Sequence, residues 1–145
     1  MSTKGRYGLR VLLDVAMHQN KGPVILRDIA KRQAISEKYL WQVINPLKGA
    51  GLVTSSRGSS GGYVLAKEPG KITLLDIVSI LEGPVIMVDC VDKPRTCDRS
   101  NACVAREAWR RVEDALKKSM SEITLRELID MQNDCETNST ASYII

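Results

Sequence analysis

The sequence predicts a mostly α-helical chain carrying one small β-hairpin, the wing of the reading below. Three observations predict it. Apolar residues recur at three- and four-residue spacing, first at Leu9, Leu12, Leu13 and Ala16, later at Ala105, Ala108, Trp109, Val112 and Leu116. Residues 52–55 and 63–66 read as a pair of strands, besides a short extended piece at Val24 and Ile25, and Ser56-Arg-Gly-Ser-Ser-Gly-Gly62 between the strands is too long for a two-residue turn. Ser36 and Thr73 stand where helix caps belong, each just ahead of an apolar-periodic run.

In chain order, residues 6–19 make a first helix, broad enough in its apolar surface to be core, and Lys21-Gly-Pro23 ends it. A short second helix over residues 26–32 turns through Gln33-Ala-Ile35 into Ser36. The Ser36 hydroxyl can accept from amides of the helix it opens, and Ile35 and Leu40 have hydrophobic-staple spacing. Leu40, Val43, Ile44 and Leu47 form that third helix's buried face; Glu37, Lys38, Tyr39, Trp41 and Gln42 lie on the other. After the hairpin, Thr73-Leu-Leu-Asp76 resembles a capping box and opens a helix that Gly83-Pro84 stops. A long amphipathic helix spans about residues 103–120. Thr124-Leu-Arg-Glu127 opens a last short helix containing Leu125, Leu128 and Ile129, with a polar tail over residues 131–145.

Charge divides the chain. Residues 1–71 hold twelve Lys/Arg against four Asp/Glu, and residues 72–145 hold nine against thirteen, which sums to the net +4. A basic half built as two helices, a tight turn, a capped outward-polar helix and a flexible hairpin has the order of a winged helix-turn-helix, a double-stranded DNA binder. Near the start of its recognition helix stand Ser36, Lys38, Tyr39 and Gln42. Arg57 sits on the glycine-rich wing with Ser59, Ser60 and Gly61, placed for a minor groove. Lys4 and Arg6, just before the first helix, suit phosphate contacts. Any one of these residues alone reads equally well as solvated surface, and Tyr39 or Trp41 as folded back on the core.

Residues 90–103 read Cys-Val-Asp-Lys-Pro-Arg-Thr-Cys-Asp-Arg-Ser-Asn-Ala-Cys, with six and then five residues between the thiols. So polar a loop cannot use its cysteines as core filler. Clustered thiolates suit soft metals: an iron–sulfur cluster, zinc or copper(I). No pair lies two to four residues apart, the spacing structural zinc favours. No apolar run reaches membrane-span length and no leader precedes the first helix, so a cytoplasmic protein without a membrane partner is expected. In that reducing compartment structural disulfides are disfavoured.

Ser2-Thr-Lys-Gly-Arg-Tyr-Gly-Leu-Arg10, Ile35-Ser-Glu-Lys-Tyr-Leu40, Ala50-Gly-Leu-Val53, Arg57-Gly-Ser-Ser-Gly-Gly-Tyr63 and Leu81-Glu-Gly-Pro84 resemble the IscR family of bacterial winged-helix transcription regulators, over the chain to about residue 130. The resemblance implies a homodimer on a palindromic operator, with the long helix at residues 103–120 as the dimerisation helix. It also implies Cys90, Cys97 and Cys103 as ligands of an iron–sulfur cluster, a two-iron two-sulfur centre ahead of a four-iron four-sulfur one. The parts then divide as a DNA-binding domain over residues 1–82, a cluster-binding loop over 83–103, the dimerisation helix and last short helix over 103–130, and the tail.

Two departures stand out. Members with three cysteines often use a histidine three residues after the last, and here Arg106 stands there, a cation that cannot ligate. Glu107, Cys135, His18 or a solvent molecule remain as fourth-ligand candidates. Trp41 replaces a glutamate that helps choose between DNA sites, so the family's operator does not transfer. Alternatives to cluster gating are a regulator of cysteine or sulfur metabolism switched by thiol oxidation or by a protein partner, and a metal-carrier or interaction protein. No enzyme is expected, since the single His stands apart from any nucleophile.

Overall fold

The computed structural model describes residues 1–59 and 61–141. Ser60, and the chain-end residues Tyr143, Ile144 and Ile145, lie outside the described residues. Among the described residues, seven α-helices and a two-stranded antiparallel sheet occur in the order α1 (Thr3–His18), α2 (Leu26–Gln33), α3 (Glu37–Gly49), β1 (Val53–Ser56), β2 (Gly62–Leu65), α4 (Leu74–Glu82), α5 (Asp89–Asp92), α6 (Val104–Glu122) and α7 (Leu125–Ala141). The expected mostly helical architecture with a small β-wing is observed.

One core binds the head together. Val11, Leu12 and Val15 of α1, Ile29 of α2, Leu40, Val43, Ile44 and Leu47 of α3, Ile72, Ile77 and Leu125 are essentially inaccessible. In β1 and β2, Val53 pairs with Leu65 and Ser56 with Gly62, and Val24 adds a single antiparallel bridge to Tyr63 through two 2.8 Å backbone bonds. Gly8 lets α1 and α4 touch: a Cβ there would collide with Leu81 Cδ1. The helix-turn-helix corner closes on Ala34, whose left-handed backbone (φ 53°, ψ 46°) lets the Ile35 amide reach the Ala30 carbonyl at 3.0 Å. Thr73 and Asp76 form both halves of the expected capping box.

The end of the chain differs from the sequence reading. The last helix does not stop near Asp130 but continues to Ala141 and packs against α1. Along it Gln132 donates to Glu136 at 2.9 Å, an i,i+4 pair that favours helix, while the Thr137 and Ser139 hydroxyls bond carbonyls one turn back.

Candidate nucleic-acid interface and cysteine loop

The core face of α3 is fixed by four buried aliphatics, which leaves Lys38, Trp41, Gln42 and Asn45 exposed on the opposite side. Ser36 caps the helix, its hydroxyl accepting from the Tyr39 amide at 3.2 Å. Tyr39 itself is half-buried, its ring edge-on to Tyr7 with centroids 5.7 Å apart. Above Tyr7 lies the Arg10 guanidinium, 5.1 Å from the ring centre, which also donates to the side-chain and backbone oxygens of Gln33 at 3.0 and 2.9 Å. This stack ties α1, the corner and α3 together.

A second brace lies behind it. The buried Asp14 carboxylate takes two parallel bonds from Arg32 (2.7 and 3.0 Å) and one from Gln33 (2.8 Å). His18 Nδ1 lies 2.8 Å from the Asp14 carbonyl, so the only histidine is engaged within its own helix. Arg57 and Ser59 are exposed at the wing tip, where Gly58 turns with φ +109° and accepts from the Gly61 amide at 3.0 Å. At the start of α1, Arg6 is exposed and Lys4 partly so. Ser2 caps that helix and also donates, through amide and hydroxyl, to Glu82 at 2.7 and 2.8 Å; these bonds hold the Glu82 carboxyl below its usual range.

The three loop cysteines are all free thiols, Cys90 and Cys103 half-buried and Cys97 exposed. Cys90 lies in α5, Cys97 follows a single 3-10 turn, and Cys103 caps α6, its sulfur accepting from the Arg106 amide at 3.4 Å. Arg106 occupies the position the resemblance assigns to a ligand, and it does other work. Its Nε donates to the Cys90 carbonyl at 2.7 Å and its Nη1 to the Ser100 carbonyl at 3.4 Å, pinning both arms of the loop to the start of α6. Glu107 is gripped by Arg110 (2.8 Å) and Arg111 (3.0 Å), and those hydrogen bonds hold its carboxyl down to about 2. Cys135 is exposed on α7.

Among the described residues no three His, Cys, Asp or Glu side chains converge closely enough to hold a metal ion. The donor set still fits a soft iron–sulfur group in kind, with three free thiols on one short loop. What it requires is that the loop draw together.

Behind the loop, Glu113 of α6 is 4% exposed and accepts from the Met87 amide at 3.0 Å and from Lys117 at 2.6 Å. Those partners hold its carboxyl below the ordinary range, Lys117 contributing most. Glu113 thus fastens the connector after α4 to α6. No sequence signal marked it, because a glutamate on an amphipathic helix reads as solvated surface. The apolar stripe of α6 is only half covered within the chain: Trp109, Val112 and Leu116 are 46%, 48% and 40% exposed.

No helix among the described residues is long and apolar enough to cross a membrane. Residues 1–131 match the family model Rrf2, "Iron-dependent Transcriptional regulator". The HTH-type transcriptional regulator CymR of Bacillus subtilis is 42% identical over 144 residues, 99% of each chain. A solved structure of CymR, the global cysteine regulator of B. subtilis, matches with a TM-score of 0.76 at 41% identity, over 90% of this chain and 96% of that one. T. potens IscR matches with a TM-score of 0.76 at 37% identity, over 93% and 89%. The oxidized form of Staphylococcus aureus CymR matches with a TM-score of 0.70 at 34% identity, over 88% and 94%. The chain therefore belongs to the Rrf2 family, and it is a winged-helix DNA-binding transcription regulator, not an enzyme.

Proposed function

We propose that this regulator acts as a homodimer whose affinity for a palindromic operator is set by the state of its cysteine loop. The half-exposed Trp109–Val112–Leu116 stripe of α6 supports the dimer, since a second copy of the same stripe is its natural cover. Each subunit sets α3 in a major groove through Ser36, Lys38 and Gln42, with Tyr39 bracing the helix against Tyr7. Arg57 enters a minor groove on the wing with Ser59 and Gly61 beside it, while Lys4 and Arg6 take phosphates. Half-sites are then inverted and about one helical turn apart.

Cys90, Cys97 and Cys103 are the residues that would hold an iron–sulfur cluster, which when bound supplies sensitivity to oxidants, nitric oxide or cluster supply. The observation that carries this reading is the position of the thiols: on a loop pinned to α6 by Arg106 and entered through a connector pinned to α6 by Glu113. Drawing the thiols together moves the Cys90 carbonyl against the Arg106 bond, and so loads the junction between head and dimer helix. Anaerobic purification should give a coloured protein with iron and sulfide in equal amounts, both lost in a Cys90→Ala, Cys97→Ala, Cys103→Ala variant. Operator affinity should differ between loaded and stripped protein; a colourless protein that rejects iron and sulfide under reconstitution overturns cluster gating.

A second reading, regulation of cysteine metabolism by thiol oxidation without a cluster, is favoured by the similarity to the global cysteine regulator of B. subtilis and to an oxidized CymR. Its signature is a reversible Cys97–Cys103 bridge, found by mass spectrometry, that operator affinity follows.

A further inference from the structure

We infer that Glu82 is a positioning residue for DNA binding: from the end of α4 it holds the first turn of α1, and with it Lys4 and Arg6, against the operator's phosphates. The inference rests on the phosphate contacts given to Lys4 and Arg6 under the proposed function.

The Glu82 carboxylate reaches across from α4 to the N-terminus of α1. Its Oε1 accepts from the Ser2 amide at 2.7 Å and from the Ser2 hydroxyl at 2.8 Å. The same hydroxyl accepts from the amides of Lys4 at 3.1 Å and Gly5 at 3.3 Å. Glu82 therefore orients the side chain that caps α1, and the cap in turn fixes the backbone of Lys4. A carboxylate at this end of a helix is also favoured by the helix dipole. Gly5 makes room for it, since a Cβ there would collide with Glu82 Oε1. Gly8 meets Leu81 in the same way, so one face of α1 is seated through Gly5 and Gly8 on the last turn of α4.

The opposite face of α1 turns toward the helix-turn-helix corner and α3. Tyr7 and Arg10 carry its contacts, to Tyr39 and Gln33. By helical spacing Lys4 and Arg6 fall on the flanks between these two faces, Lys4 partly buried and Arg6 exposed. The carboxylate thus grips α1 from the side away from α3, where it orients the two cations without standing in front of them.

The sign of the effect separates this role from a plain charge effect. A carboxylate that only lies near DNA repels it, so its removal would tighten binding. Glu82→Ala makes the protein more positive, yet with positioning lost it should bind its operator more weakly.

The test uses the full-length chain and an operator selected from a random-sequence library, with affinities followed from about 50 to about 200 mM salt. The logarithm of the binding constant falls with the logarithm of salt by about 0.9 for each phosphate neutralised. Glu82→Ala should flatten that slope by about 0.9–1.8, so its loss of affinity shrinks about threefold to tenfold across the range. Glu82→Gln keeps an acceptor oxygen for Ser2 and should keep the wild-type slope. Lys4→Ala with Arg6→Ala should flatten the slope as well, and adding Glu82→Ala to that pair should weaken binding no further. Loss of stability alone would leave the slope of the folded protein unchanged. Tighter binding by Glu82→Ala, an unchanged slope, or its full penalty persisting beside Lys4→Ala and Arg6→Ala overturns the positioning role. A wild-type slope in the Lys4→Ala, Arg6→Ala variant overturns the phosphate contacts themselves, and the inference with them.

Discussion

Glu113 ties the connector after α4 to α6, and removing its carboxylate should loosen that joint without disturbing the head core. The Met87 amide donates to it at 3.0 Å and Lys117 at 2.6 Å. A hydrogen bond to a charged acceptor contributes about 1.5–3 kcal/mol. The lysine partner is 40% exposed, which limits the ion pair to under about 1 kcal/mol. Met87 is itself exposed, so its freed amide regains water and the loss falls toward the lower end. Glu113→Ala should therefore cost about 2 kcal/mol, and Glu113→Gln, which keeps an acceptor, about 1 kcal/mol. With a urea m-value of about 2 kcal/mol per M, the alanine variant's midpoint falls by about 1 M at fixed protein concentration.

The pH dependence has a definite sign. The folded carboxyl titrates below its usual range, so its contribution is complete above about pH 4.3, the unfolded value, and is lost as pH falls through the lower folded value. The stability gap between wild type and Glu113→Gln should close below that pH. Equal midpoints for wild type and Glu113→Ala, or a gap that persists undiminished at pH 3, would refute the joint. Hydrogen exchange at the Met87 amide should quicken in the alanine variant.

Four further outcomes follow from the same geometry. On the proposed reading wild type should sediment as a dimer, and Val112→Asp with Leu116→Asp, both half-exposed on α6, should give a folded monomer. Arg106→Ala should raise hydrogen exchange across residues 90–103, because both arms of the loop lose a donor. Arg57→Ala should weaken operator binding by about 1–3 kcal/mol while leaving the melting temperature unchanged. Gly8→Ala drives a methyl into Leu81 and should destabilise by about 1–3 kcal/mol in urea unfolding.

What could be read from sequence follows the range of the interactions. The Thr73–Asp76 box, the Ser36 cap and the Leu40–Leu47 stripe are local patterns, and each has the partner its spacing implied. The stripe at Ala105–Leu116 gave the helix but not the surface that meets it. Glu113 and Arg106 eluded the pattern because their partners lie 26 and 16 residues back along the chain. Arg106 was visible only as the absence of a ligand; its use as a clamp depends on where the Cys90 carbonyl turns. The continuation of α7 eluded it for a different reason: beyond Asp130 its residues are mostly polar, and hydrophobic periodicity does not register them.

Those two long-range bonds also bound what the loop can do. On the proposed reading, a signal at the thiols alters DNA affinity only by the difference in free energy between loop states as felt by the head and the dimer helix. The connections available for that difference are few: Arg106 to the Cys90 and Ser100 carbonyls, and Glu113 to the Met87 amide. Each is a charge-assisted bond to backbone, worth about 1.5–3 kcal/mol when intact and less where solvent competes. At the lower end of that range, losing one of these three bonds shifts affinity by at most about tenfold. No repacking of the head is needed, since neither Arg106 nor Glu113 belongs to its core cluster. A loop of this construction therefore predicts a graded regulator, in which Arg106→Ala compresses the difference between signal-bound and signal-free affinity while leaving the melting temperature of the head as it was.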